Sequence, residues 1–442
     1  MYILEDNIPM TPNFLPDAVT HLQFADNYNQ KIVSNCLPKS LTHLYVGDRY
    51  NTEIEPGCLP ESLTHLTIGW LYNHPINSNI LPNSLQFLNT GDSFNQIIKK
   101  GDFSDSITHL VFGSCFRKKI EPNTLPENLV YLFTGRRYNH TIELNNFPQS
   151  LKYLVFGNDF NGVIIPGSLP IGLSHILFGR KYNKPLHENM LPASLTHLTL
   201  GHSFDQIITC DSLPKSLTHL SFGTCFNRKI GSENLPNSIT HLTFGTQRKN
   251  KKFNTSPPSI ICEPAYLSLI NQLTNEPIEI SKSKQRSLSK LTVNTCNIPL
   301  TSKELPKNLT HITFSHTFDQ KLSDNFFPDS VTHIAFGGQY HHKINLNSLP
   351  KSLQYITFID NHYIDNLNEL SKNVAVIAYY PKYHQDITRL IFPYYIYEKE
   401  LYHLEKNTFQ IVDVIDDYGG RIAKITYNKY YNAAAISSCC LM

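Results

Sequence analysis

A period of 22 residues constrains this chain more than any other feature. Leu15-Pro16, Leu37-Pro38, Leu59-Pro60 and Leu81-Pro82 open successive copies of one pattern. The register continues through Phe103, Leu125, Phe147, Leu169, Leu191, Leu213 and Leu235, then resumes at Leu305, Phe327 and Leu349, which makes fourteen copies. A unit this short cannot bury its apolar face alone, so each copy must stack on its neighbours. Twenty-two residues are also too few for a strand, two turns and a long crossover helix. The expected fold is a solenoid with one short parallel strand per coil.

One copy shows the chemistry of the coil. In Leu213-Pro214-Lys215-Ser216-Leu217-Thr218-His219-Leu220-Ser221-Phe222-Gly223, the Leu220-x-Phe222 alternation predicts a strand with its apolar side inward. Leu217, Phe226 and Ile230 add further anchors, for about five buried apolar positions per coil. Pro214 fixes a backbone dihedral before the strand, and Gly223 permits close packing after it. Asn follows the Phe or Tyr anchor at Asn51, Asn95, Asn139 and Asn227, with Asp205 and Asp319 in its place in two copies. An amide or carboxylate there can bond nearby backbone and form a ladder along the stack. Parallel strands lie ~4.8 Å apart, so fourteen would make a face of roughly 60 Å before curvature.

The period divides the chain. Residues 1–14 are expected to cap the first coil, and 15–248 to form regular repeats. Residues 249–304 break the rhythm as an irregular insertion with degenerate repeats, 305–367 restore it, and 368–442 form an aromatic-rich C-terminal cap and tail. The insertion either separates two arms or bulges from one stack.

His21, His43, His65, His109, His175, His197, His219, His241, His311 and His333 occupy one repeat position and account for ten of the 20 histidines. His219 precedes Leu220 on the strand, so its ring belongs on the side opposite the core. This column is the candidate recognition surface. Phe87, Tyr131, Tyr153 and Tyr355 fill the same position in other copies, and phenylalanine cannot ligate a metal, so ring stacking and hydrogen bonding between coils are favoured over metal binding. His341-His342-Lys343 is read as ordinary turn chemistry, since adjacent histidines do not define a ligand cage.

Formal charge is +2, from 38 Lys and Arg against 36 Asp and Glu, and provides no global field for nucleic acid. The densest basic run, Arg248-Lys249-Asn250-Lys251-Lys252, lacks interleaved aromatics and reads as a solvated loop. No phosphate-binding, dinucleotide-binding, nucleophile-elbow or kinase motif is present, and repetition offers no singular nucleophile and base, so neither a catalytic residue nor a cofactor is expected. The start of the chain lacks the basic and apolar segments of a secretory signal, and no apolar run is long enough to span a bilayer. Nine cysteines without a CxxC pair point to buried free thiols in a reducing compartment, including Cys36 and Cys58 in adjacent copies. Cys439-Cys440-Leu441-Met442 fits a prenylation motif, which would place a farnesyl group on Cys439 and allow peripheral membrane association; an unmodified tail is the alternative.

The recurring pattern LPxSLTHLxFGxxFNxxI, seen in Leu37-Pro38-Lys39-Ser40-Leu41-Thr42-His43-Leu44 and in the 213–230 copy, resembles the FNIP repeat family over residues 15–367. The resemblance implies a leucine-rich-repeat-like solenoid, as in proteins of social amoebae and of giant DNA viruses of amoebae. Many members look like substrate receptors that join an F-box to the repeats. Periodicity here begins near residue 15, which leaves no room for that adaptor before it. The expected function is a non-enzymatic protein-binding scaffold in the cytoplasm, or in the host cytoplasm for a viral member. A self-associating structural protein, or an enzyme with its site in the irregular centre or C-terminal region, remains the alternative.

Overall fold

The protein is described by a computed structural model covering residues 2–4, 7–12, 14–231, 234–245, 300–315, 318–337, 340–342, 344–358, 375–378, 411–415 and 421–425. The chain divides into two compact units, Met1–Gly201 with Lys251–Lys290, and His202–Asn250 with Leu291–Met442.

Among the described residues the first unit carries ten strands: β1 (Tyr2–Leu4), β2 (His21–Phe24), β3 (His43–Tyr45), β4 (His65–Thr67), β5 (Phe87–Asn89), β6 (His109–Val111), β7 (Tyr131–Phe133), β8 (Tyr153–Val155), β9 (His175–Leu177) and β10 (His197–Thr199). Each pairs in parallel with the next, and from β2 onward every residue faces the one 22 positions later, as His43 faces His65. The segment before residue 15 is itself a degenerate coil. Its β1 adds to β2, and Asn7 Oδ1 accepts the Asn29 N–H at 2.9 Å.

The second unit carries β11 (His219–Phe222), β12 (His241–Phe244), β13 (His311–Thr313), β14 (His333–Phe336), β15 (Tyr355–Phe358) and β16 (Ala375–Ala378), again parallel in sequence order. Although β12 and β13 are separated by the irregular insertion, they pair directly, His241 with His311. On that side the repeats therefore continue as neighbours in one sheet. Leu300–Glu304 already supply the last turn of the coil that enters β13, including a 3-10 turn at Ser302–Glu304. Beyond β16 the pairing turns antiparallel, with β18 (Arg421–Ile425) against β16 and against β17 (Ile411–Ile415).

Numbering each coil from the Leu of its Leu-Pro pair, the motif can be read side chain by side chain. The position-2 carbonyl accepts the position-5 N–H, as Pro214 does from Leu217 at 3.1 Å, and the turn so closed delivers the chain to the strand. The position-4 hydroxyl ties coil to coil, with Ser62 donating to the Leu41 carbonyl and Ser238 to the Leu217 carbonyl, at 2.6 and 2.7 Å. Positions 5, 8, 10, 14 and 18 are buried, as Leu217, Leu220, Phe222, Phe226 and Ile230 illustrate. The core holds more than the five columns expected. Position 1 is buried in every coil but the last, where Leu349 is half-buried, and so is much of position 22, where Cys36, Ile80, Asn146, Ser168, Met190 and Phe326 share one place. Two polar occupants of position 22 close their own turn: Asn146 Oδ1 accepts the Glu143 N–H at 2.5 Å and Ser212 Oγ accepts the Thr209 N–H at 3.0 Å. Cys36 and Cys58 are free and buried, and burial pushes the Cys36 thiol up.

Two polar positions set the turns. At position 15, Asn29 Oδ1 accepts the Asn51 N–H at 2.8 Å, Asn51 that of Asn73 at 3.2 Å and Asn73 that of Asn95 at 2.9 Å, which is the expected ladder. Asp205 and Asp319 perform the same task for Asn227 and His341 at 2.9 and 2.7 Å. Position 21 carries a second set of asparagines for a different reason. Asn35 and Asn145 adopt φ of 63° and 64°, and Gly57 takes the same place at 75°, because the turn there requires the left-handed region. The glycine at position 11 answers instead to crowding: a Cβ on Gly179 would lie 1.8 Å from the Gly157 carbonyl oxygen.

Candidate functional site

Alternation along each strand places position 8 in the core and positions 7 and 9 on the opposite side. His219 and Ser221 are half-buried while Leu220 and Phe222 are buried, and the same pattern recurs in β2 and β12. The ten histidines of the expected column therefore line the strand face. Neighbouring rings stack: His21 on His43 and His43 on His65 at 4.1 Å between centroids, His175 on His197 at 4.0 Å, His219 on His241 at 4.1 Å, His241 on His311 at 4.2 Å and His311 on His333 at 3.9 Å. Aromatic occupants continue the stacks, His65 against Phe87 at 5.8 Å, His109 against Tyr131 at 6.0 Å and His333 against Tyr355 at 4.6 Å.

The hydroxyl at position 6 decides which nitrogen carries the ring proton. Thr42 Oγ1 donates to the Thr20 carbonyl at 3.0 Å and lies 2.9 Å from His43 Nδ1. A hydroxyl has one proton, so with that proton on the carbonyl it can only accept from Nδ1–H. The same relay runs through Thr64 and His65, Thr108 and His109, Ser174 and His175, Thr196 and His197, Thr240 and His241, Thr310 and His311, and Thr332 and His333. Thr20 and Thr218 lie equally close to His21 and His219, both at 2.9 Å. Each neutral ring in the relay thus carries its proton on Nδ1 and keeps a lone pair on Nε2, the nitrogen away from the threonine. Burial pushes the His109, His197 and His311 imidazoles below their usual range, and burial together with the neighbouring His311 lowers His333 to about 4. These four rings are biased toward the neutral form.

Position 9 adds a feature that the sequence reading passed over. Val111, Phe133, Val155 and Leu177 fill it in consecutive coils, beside Phe87, Tyr131 and Tyr153 at position 7. Phe87, Val111 and Tyr131 form a packed apolar cluster with Phe133, Tyr153 and Val155 against it. The four consecutive apolar residues were the available signal. The strand face of the first unit is thus histidine-lined at β2–β4, β6 and β9–β10, with aromatic rings at β5, β7 and β8 and the apolar position-9 residues beside them.

Among the described residues, no group of three or more His, Cys, Asp and Glu side chains is placed to hold a metal ion. His341 and His342 both approach one carboxylate, that of Asp319, at 3.4 and 3.6 Å, and add no further ligand. The basic run at Arg248–Lys252 and the Cys439 motif lie outside the described residues. Among the described residues no helix is long and apolar enough to cross a membrane.

The FNIP Repeat family profile matches residues 7–49, 50–93, 94–136, 138–181, 182–225, 297–339 and 318–361. The chain belongs to this family of leucine-rich-repeat-like proteins. Among solved structures, CroV588, described as a novel circular LRR protein structure, is 31% identical, with 87% of this chain and 69% of that chain covered and a TM-score of 0.41. The pneumococcal vaccine antigen PcpA is 13% identical over 83% of this chain and 77% of its own, with a TM-score of 0.15. The family relation rests on sequence, and neither TM-score adds to the fold described above. No curated protein matches the chain.

Proposed function

We propose that this chain is a non-enzymatic protein-binding scaffold and that its client docks on the strand face. The observation that carries this reading is the division of labour within each strand. One side is spent on the core, and the other presents half-buried rings beside a position-9 column whose identity changes from coil to coil. A regular backbone with one variable column suits recognition of an extended surface, and the half-buried rings retain area that a partner can still cover. Repetition argues against catalysis, which needs a singular constellation of nucleophile, base and orienting group.

The client is taken to be a protein, and nucleic acid is not expected. The proposed location is the cytoplasm, with peripheral membrane attachment added if Cys439 is farnesylated. The test is copurification of the tagged full-length chain from its native cytosol, compared with a Thr67→Arg/Thr243→Arg variant that places charge on the strand face of each unit. A Lys100→Glu variant at an exposed turn serves as the control. A stoichiometric partner held by the wild type and the control but lost from the face variant, with unchanged far-UV circular dichroism, supports the reading. A partner kept by all three, or none with the wild type, contradicts it. The intact mass of the carboxyl terminus decides the Cys439 question in the same sample.

A further inference from the structure

Two cysteines occupy position 13 in different coils, Cys115 in the first unit and Cys225 in the second, and the residue lying against each comes from position 12 of the preceding coil. The backbone geometry is shared: the Cys115 N–H donates to the Asp92 carbonyl at 2.8 Å, and the Cys225 N–H to the His202 carbonyl at 2.9 Å. Both thiols are half-buried. The neighbouring side chains differ in chemistry. Asp92 is a carboxyl group that accepts from the Ser114 hydroxyl at 3.1 Å. His202 is an imidazole whose Nε2 lies 3.4 Å from Cys225 Sγ and whose Nδ1 is engaged by the Thr224 hydroxyl.

We propose that Cys225 is a nucleophilic thiol, activated by His202, that is modified by hydroperoxides and other small soft electrophiles. The imidazole is placed to take the thiol proton at Nε2, and Thr224 Oγ1 accepts from Nδ1–H of the resulting cation. A thiolate beside a cationic imidazole is the reactive form of cysteine. With hydrogen peroxide, the Cys225 thiolate attacks one oxygen, the S–O bond forms as the O–O bond breaks, and hydroxide leaves. That hydroxide takes the proton held by His202, giving water and a sulfenic acid on Cys225. The sulfur is oxidised and the peroxide is reduced.

The remaining described cysteines sharpen the inference, because exposure alone would rank them differently. Cys210 is the exposed one, yet its thiol donates to Asp211 Oδ2 at 3.2 Å, and that hydrogen bond and charge raise its pKa. Cys36 and Cys58 are buried. The half-buried Cys225 should therefore react ahead of the exposed Cys210, the reverse of an accessibility order.

The test is site-resolved alkylation of the full-length protein at neutral pH with iodoacetamide, read by peptide mass spectrometry. Cys225 is expected to react about tenfold faster than Cys115 and ahead of Cys210, the ratio that one unit of thiol pKa gives through thiolate fraction. His202→Gln should bring the Cys225 rate close to that of Cys115, with Cys36 and Cys58 still protected as evidence that the coils remain closed. Dilute hydrogen peroxide followed by a sulfenic-acid trap should label Cys225 before Cys115. A wild-type Cys225 that reacts no faster than Cys115 or Cys210 overturns the proposal, whatever the folding of the variant. So does an unchanged Cys225 rate in folded His202→Gln.

Discussion

Lowering the pH from about 8 to 5 should weaken this fold through its histidine column. In the folded chain His333 stays neutral down to about 4, because its ring is half-buried and stacked 3.9 Å from His311. In the unfolded chain the same side chain takes a proton below pH ~6.5. Between these values the unfolded state binds more protons, so stability rises with pH: it is full above ~6.5 and is lost as the pH falls toward 4. A span of roughly 2.5 units at ~1.36 kcal/mol each sets a ceiling of about 3.4 kcal/mol for this residue. The ring is partly exposed, and solvent screening reduces the expected loss to about 1–2 kcal/mol. His109, His197 and His311 are shifted the same way by burial and add to the slope. Asp48 and Asp92 act in the opposite sense, since burial raises their carboxyl pKa values and lets the folded state take up protons first. The clean assay is therefore a difference. Urea midpoints of the wild type and of His333→Tyr are compared from pH 8 to 5, tyrosine being an occupant the position already accepts at Tyr131, Tyr153 and Tyr355. The wild type should lose more stability than the variant. A wild-type midpoint that does not move over this range, or one that moves equally in both proteins, refutes the reasoning.

Other consequences follow from single positions. Leu220→Ala empties a core site that is 1% exposed and should cost about 2–5 kcal/mol in the same urea titration. Asn73→Ala removes the acceptor for the Asn95 N–H and for Gln96 Nε2, bonded at 2.9 and 3.0 Å, and should cost about 0.5–1.5 kcal/mol, whereas Asn73→Asp should stay near wild type because Asp205 already does this work. Gly179→Ala drives a methyl group toward the Gly157 carbonyl oxygen at 1.8 Å, so the coils must separate; a loss of about 3 kcal/mol or more is expected in thermal and urea unfolding.

The features legible in the sequence are those that repeat in chemical type. Leu220 and Phe222 recur as apolar residues every 22 positions, so the core side of the strand and the outward side of His219 followed from alternation alone. The ladder at Asn29, Asn51 and Asn73 was legible because one residue type held one place. Position 22 was not legible, because Cys36, Asn146, Met190 and Phe326 share no hydropathy: what they share is a place inside a closed turn, where a thioether and a turn-closing amide are equally at home. Nor was the threonine relay, since a threonine or serine simply precedes the histidine in all ten copies that carry one, and adjacency does not reveal that the hydroxyl proton goes to a carbonyl one coil away. The insertion also left two arrangements open. The pairing of β12 with β13 across some seventy residues of sequence depends on a match between strand edges, which a break in period conceals.

The central claim is that the strand face presents a row of stacked imidazoles that carry the ring proton on Nδ1, held there by the position-6 hydroxyls. Nitrogen-15 imidazole spectra of the histidine-labelled full-length protein at pH 8 test it most directly, because the two tautomers give opposite chemical shifts for Nδ1 and Nε2. The account predicts that the His43, His65, His175, His197, His241, His311 and His333 signals, assigned by single substitution, report Nδ1–H. Signals reporting Nε2–H for these residues would contradict it, since the position-6 hydroxyls would then have to donate to the rings and abandon the carbonyls that join coil to coil.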